Sequence, residues 1–193
     1  MASIRSYFVC FLLVATSSSS SAQSKYRSTP IDTLTYEVAE SLAVTYGFFD
    51  ATWNITSDGS KHKFEIILNE NAVVDRLSNL MWQQSGSAKQ MSLKEAHAYV
   101  ERLNREKFLG WNDWRLPTFE EAMSLLARKK SQWKLHIDPV FDPTQKYVWT
   151  SDRNVPHWAW VVAYDFGAAD EYEPDVIAYV RAVRTMTDSE VKN

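Results

Sequence analysis

Cysteine is almost absent from this chain: the only one, Cys10, lies inside an apolar run from Tyr7 to Ala15. A single positive charge, Arg5, precedes that run, and small residues ending Ser20-Ser21-Ala22 follow it. These are the three parts of a secretory signal, with cleavage expected near Ala22. The mature chain would then contain no cysteine. Disulfides, thiolate metal sites and cysteine nucleophiles would all be excluded, even though an exported protein is free to form disulfides.

Long apolar runs are missing as well. The signal-like run is too short to span a bilayer and no later stretch reaches its length, so a periplasmic or secreted protein without a transmembrane segment is expected. Nor is there an excess of basic charge. The chain has 21 Lys and Arg against 24 Asp and Glu, and loss of Arg5 with the signal moves the net charge from −3 to −4. That balance does not suit nucleic acid. The one basic cluster, Arg128-Lys129-Lys130 with Lys134, falls where a helix should end and reads as a solvated terminus. There is no internal repeat, nucleophile elbow or zinc motif. No two of His62, His97, His136 and His157 are spaced to reach one metal. An enzyme of unrecognised type is therefore the last of the alternatives.

What is present suffices for one folded domain: 193 residues, 45% apolar and 13% aromatic. Residues 23–63 are expected to hold a flexible lead-in, Gln23 to Pro30, then a helix from Thr33 to Phe49 and a loop from Thr52 to Lys63. Phe64 to Leu68 and Ala72 to Asp75 read as short strands joined by a tight turn at Asn69-Glu70-Asn71, and Leu80-Met81-Trp82 as a further buried segment. Ser92 and Thr118, each followed three residues later by glutamate (Glu95, Glu121), open two helices through capping boxes. Their apolar faces run through Ala96, Tyr99, Val100 and Leu103, and through Ala122, Leu125 and Leu126. Tyr147 to Ser151, Trp158 to Phe166 and Val176 to Arg184 read as strands, and 186–193 as a polar tail. Helices first and an antiparallel sheet after them predict an α+β fold.

Trp111-Asn112-Asp113 matches the triplet with which calcium-dependent lectins hold their metal, but its context does not. The loop that should precede it, here Glu173-Pro174-Asp175, follows it by some sixty positions. The triplet also runs straight into the Thr118 capping box. Asp113 is better explained by Arg115 or by backbone donors of the turn. Asp170, Glu171, Glu173 and Asp175 form an acidic stretch whose spacing fits no known calcium loop, so calcium is at most a weak expectation and no other cofactor is implied. A solvated loop is the plainer reading.

Five segments, in order, carry a family resemblance. They are Asp75 to Gln83 with Trp82; Gly110-Trp-Asn-Asp113-Trp114-Arg115-Leu-Pro117-Thr118; Tyr147-Val-Trp-Thr-Ser151; Ala159-Trp160-Val161; and Tyr179-Val-Arg181-Ala-Val-Arg184. The chain resembles the bacterial Lcl C-terminal domain family over about Phe64 to Arg184, giving a domain at 64–185. The resemblance implies a C-type-lectin-like fold, with two capped helices on a small antiparallel sheet, in a branch that includes the formylglycine-generating enzymes. Those enzymes work through cysteines, which the mature chain would lack. One relative's domain ends a collagen-like adhesin and binds sulfated glycosaminoglycans, a preference that a net-negative chain does not suit. The family often has cysteine where Val100 and Ala182 stand here, which implies that packing replaces a disulfide. It has glycine where Asn79 stands, which implies a left-handed turn that asparagine tolerates.

Asp75, Asp113, Trp114, Arg115, Pro117, Thr118, Glu121, Trp160, Arg181 and Arg184 are read as scaffold, with Asp75 and Asp113 as partners for the arginines. The expected function is an exported non-enzymatic module that binds a glycan or a cell-envelope protein. Its ligand surface would be Asp152, Arg153, Asn154, His157, Trp158, Tyr172, Glu173 and Asp175, with Trp158 either stacking on a sugar ring or packing in the core. The alternative is a structural or oligomerising envelope protein docked through the N-terminal helix.

Overall fold

The computed structural model describes residues 24–69, 71–154 and 158–191. The expected signal peptide, its Cys10 and His157 lie outside the described residues. The fold is α+β, as the order of segments predicts, but it contains two antiparallel sheets and not one. Strands β1 (Phe64–Ile67), β2 (Ala72–Asp75) and β3 (Leu80–Gln83) form a meander, which β7 (Val183–Thr185) completes beside β3. Strands β4 (Tyr147–Asn154), β5 (Trp158–Ala163) and β6 (Ala168–Tyr172) form the second sheet in chain order.

The turns follow local chemistry. Asn79 has φ 59°, the left-handed conformation expected where asparagine replaces glycine. Leu68 and Asn69 (φ 55° and 54°) carry the turn between β1 and β2. Gly167 closes the turn between β5 and β6 at φ 81°, where a Cβ would lie 2.7 Å from the His136 ring.

Both capping boxes form. Ser92 caps α2 (Leu93–Arg105) and Thr118 caps α3 (Phe119–Ser124), each accepting from the third backbone N–H while the glutamate accepts from the cap's own N–H. Helix α3 stops before Leu125 and Leu126, which stay buried without being helical. Its basic cluster therefore begins in a loop beyond the helix. The first helix, α1, is shorter than expected, Tyr36–Thr45, and is capped by Thr35.

The core consists of two apolar clusters separated by β5. Trp160 and Val162 join Leu34, Ala39, Ala43, Phe119 and Met123 in one. Ala159 and Val161 join Leu93, Ala96, Val100, Leu103, Trp114 and Trp149 in the other. This explains the unbroken apolar run of β5, because a strand covered on both faces has no reason to alternate. Val100 and Ala182 are buried in the second cluster, where packing stands in for the implied disulfide.

Two expectations fail. Val176 to Arg184 is not one strand: only Val183–Thr185 pairs as such. The preceding residues lie between the sheets and use a different partner at each step. Ala178 pairs with Met91, Tyr179 with Tyr147 and Trp149, Val180 with Ser87, and Ala182 with Gln83. Every buried backbone group needs a partner, but one neighbouring strand need not supply them all.

Nor is the described part of the expected lead-in, residues 24–30, a loose segment, and the residues up to Leu34 are tied down with it. Thr118 Oγ1 donates to Arg27 O, Arg153 N–H to Ile31 O, Leu34 N–H to Arg153 O, and Trp160 Nε1–H to Leu34 O. Tyr26 and Leu34 are buried in the first cluster. The polar tail is also partly docked, through Met186 and α4 (Asp188–Val191).

Candidate functional site

The arginines of the signature motifs are all partnered, though not with the residues expected. Arg115 does not hold Asp113. Its Nη1 and Nη2 donate to Glu121 at 2.6 and 2.7 Å, so the glutamate that caps α3 also receives a two-pronged guanidinium. Asp113 pairs instead with Arg184, at 2.7 and 3.0 Å, and Arg184 also reaches Glu190 and lies 4.7 Å from the Trp111 ring centre.

Asp75 pairs with no arginine. It accepts from His62 Nδ1, Ser78 Oγ and the N–H groups of Lys63 and Leu77. Burial opposes its charge, yet those donors hold its pKa below the usual value. Arg181 is fully buried and uses carbonyls: Gln83 O, Gln84 O and Asp142 O, with Gln145 Oε1. Burial pushes its pKa down to about 10.

Asp152, expected on the ligand surface, is turned inward and fully buried. It takes both Nη atoms of Arg27 at 2.8 Å and the N–H groups of Ile31 and Phe119. Glu120 shares the same guanidinium. Burial raises the Glu120 pKa against the pull of Arg27, while Arg27 itself, despite burial, is raised by the two carboxylates. This cluster locks the N-terminal segment and is a scaffold.

The other described ligand candidates gather at one end of the second sheet. Asn154 pairs with Trp158, Arg153 with Ala159, and Ala159 in turn with Tyr172, after which the chain runs into Glu173 and Asp175. Trp158 is 41% exposed and Trp160 fully buried, so Trp158 is not packed in the core. Tyr172 packs edge-on against Trp149 at 6.3 Å.

That sheet end opens on a groove of about 620 Å³ against α2, where Arg153, Ser151, Pro174 and Asp175 face Lys94, His97 and Glu101, with Asp32 at its rim. Burial and the Arg153 charge lower the His97 pKa, and Glu101 opposes them. Among the described residues Ser151 Oγ, though in the lining, is buried without a hydrogen-bond partner. Sequence reading missed Asp32, Lys94 and Glu101. Only the exposed face of α2, which His97 and Glu101 share at four-residue spacing, gave a signal.

The acidic stretch is not one loop: Asp170 and Glu171 lie on strand β6, and only Glu173 and Asp175 follow it. Asp170 accepts from Glu171 N–H, Glu171 accepts from Asn154 Nδ2, Glu173 is exposed, and Asp175 lines the groove. Among the described residues no group of three or more His, Cys, Asp or Glu is placed to hold a metal, and no helix is long and apolar enough to cross a membrane.

A comparison with protein families matches the Lcl C-terminal domain model to residues 71–184. A comparison with curated proteins finds no match.

Proposed function

This chain belongs to the Lcl C-terminal domain family, and from that premise we propose that it is an exported, non-enzymatic binding module of C-type-lectin-like architecture whose ligand is a glycan. The ligand lies across the sheet end and the α2 groove. The observation that carries this reading is the lining of that groove. Acceptors (Asp32, Glu101, Asp175) and donors (Lys94, Arg153) share one groove, and an exposed indole, Trp158, stands at the same end of the sheet. Hydroxyl-rich ligands need both kinds of partner together with an apolar face to stack on. A polyanion would want one sign only.

A carbohydrate array with and without chelator tests the reading, followed by calorimetric titration of any bound glycan. Arg153→Ala and Trp158→Ala should each weaken binding about tenfold or more, the behaviour of a binding hot spot. An array without any bound glycan, alongside a robust protein partner in a pull-down, would sink the carbohydrate version.

A further inference from the structure

The outer edge of β6 and the start of α1 enclose a separate cavity of about 390 Å³. Three rings line it, Tyr36, Phe166 and Tyr172, over a floor of small residues that includes Ala163 and Ala168. Two of the rings are fixed. Tyr36 accepts from Trp53 Nε1 at 2.8 Å and meets the Trp53 ring edge-on at 5.0 Å; Tyr172 is held edge-on by Trp149. The third, Phe166, is 76% exposed, more than any other large apolar side chain among the described residues. Its position in the turn gives it no core to fill.

Among the described residues, the only charged side chain in the lining is Asp170; no Lys, Arg or His contributes. Glu171 follows it directly, and Asp165 precedes it across the turn. The Tyr172 phenol registers the local field: burial raises its pKa first, and Asp170, Tyr147 and Asp165 add to the effect.

The lining discriminates between ligand classes. A sugar needs several free donors and acceptors, whereas the polar side chains in the lining are Thr52, whose hydroxyl donates to Asp50, Tyr36, whose hydroxyl accepts from Trp53, the Tyr172 phenol and Asp170. A bare metal ion needs a shell of oxygens, which aromatic walls do not supply. A neutral apolar ligand would bury the Asp170 carboxylate without compensation. A cation with apolar substituents suffers none of these penalties, because aromatic faces attract it and the carboxylate balances it.

We propose that this cavity binds a small free alkylammonium ion, seated among Tyr36, Phe166 and Tyr172 with its charge toward Asp170. Titration of the intact protein with choline, followed by amide chemical shifts, tests it. Saturable shifts confined to residues 166–172 and the start of α1 are expected. The neutral isostere 3,3-dimethylbutan-1-ol should bind about tenfold more weakly, the scale of a desolvated cation–π contact. Asp170→Asn keeps an oxygen to accept from Glu171 N–H and so tests charge alone. It and Phe166→Ala should each cost about tenfold, a range reached by such contacts, whereas Arg153→Ala in the α2 groove should leave choline binding unchanged. Equal affinity for the neutral isostere, an unaffected Asp170→Asn variant, or no saturable shift with choline would each overturn the proposal. A trimethyl-lysine peptide that binds more than tenfold tighter than choline would also overturn it, by making the ligand a protein side chain.

Discussion

Arg184 is 2% exposed yet carries two carboxylates, and one of them is a sensitive reporter of the fold. Burial alone would raise the Glu190 pKa, but hydrogen bonds from Arg184 and from Thr187 N–H and Oγ1 outweigh it and hold the group at about 2, against an ordinary 4.5. Since the folded value is the lower one, the unfolded chain binds the extra proton. The stabilisation is complete above pH 4.5 and fades as pH falls toward 2. Urea midpoints measured across that range should fall more steeply for the natural protein than for Glu190→Gln; parallel curves would mean the pair contributes nothing. At this scale the sequence identified which arginines needed partners but not which acids would answer. Asp113 lies two residues from Arg115 and pairs with Arg184, because the chain between them turns the two side chains to different neighbours. Glu121 was legible as a cap and not as an ion-pair partner, since one carboxylate can serve both and only its coordinates reveal the second use.

At the scale of elements, the second sheet has two edges, and both are occupied. Along the outer edge of β4, Trp149 N–H donates to Tyr179 O, Ser151 N–H to Pro117 O and Arg153 N–H to Ile31 O. Along β6, the N–H groups of Ala169 and Glu171 go to the carboxylates of Asp50 and Asp170. Such cover prevents an exposed strand from recruiting another chain. The N-terminal segment thus lies along the β4 edge, bonded to Arg153 through Ile31 and Leu34, and Arg27 is its clasp. Arg27→Ala would leave Asp152 and Glu120 buried without a cation. The expected cost is about 3 kcal/mol, the low end for breaking a buried pair, because the Arg27 side chain is 20% exposed. Hydrogen exchange at the Leu34 and Arg153 amides should accelerate more than at the α2 amides; uniform acceleration would argue against a local clasp. None of this was legible in a polar, Ser-rich lead-in, whose composition matches that of a flexible segment. Much of the order of residues 24–34 comes from distant partners, Glu120 and Asp152 for Arg27 and Trp160 for Leu34, which lie 93, 125 and 126 positions away.

For the whole molecule, the question of assembly takes a different form once α1 is seen in place. Ala39 and Ala43 bury its inner face and Leu34 anchors its approach, so deleting the helix would open the core and could not test docking. Three of its apolar residues are exposed, Tyr36, Val38 and Val44; Tyr36 lines the cavity at β6, and Val38 and Val44 are about 120° apart around the helix and do not form one face. Val38→Lys and Val44→Lys, alone or together, should change stability by no more than about 0.5 kcal/mol each, as exposed substitutions usually do, and should leave the size in solution as it was. A smaller particle in the double variant would revive the oligomerising reading. The sequence by itself determined the α+β class, the family, both capped helices, the left-handed turn at Asn79 and the burial of Trp160. These rest on local chemistry, on periodicity, or on motifs whose residues are close together in the chain. Only the tertiary structure decided that the strands form two sheets, that Asp152 faces inward to Arg27, and that Asp32, His97, Glu101 and Arg153 line one groove. Each of those depends on which distant segments share a neighbour, and the spacing of residues along a chain carries no record of that.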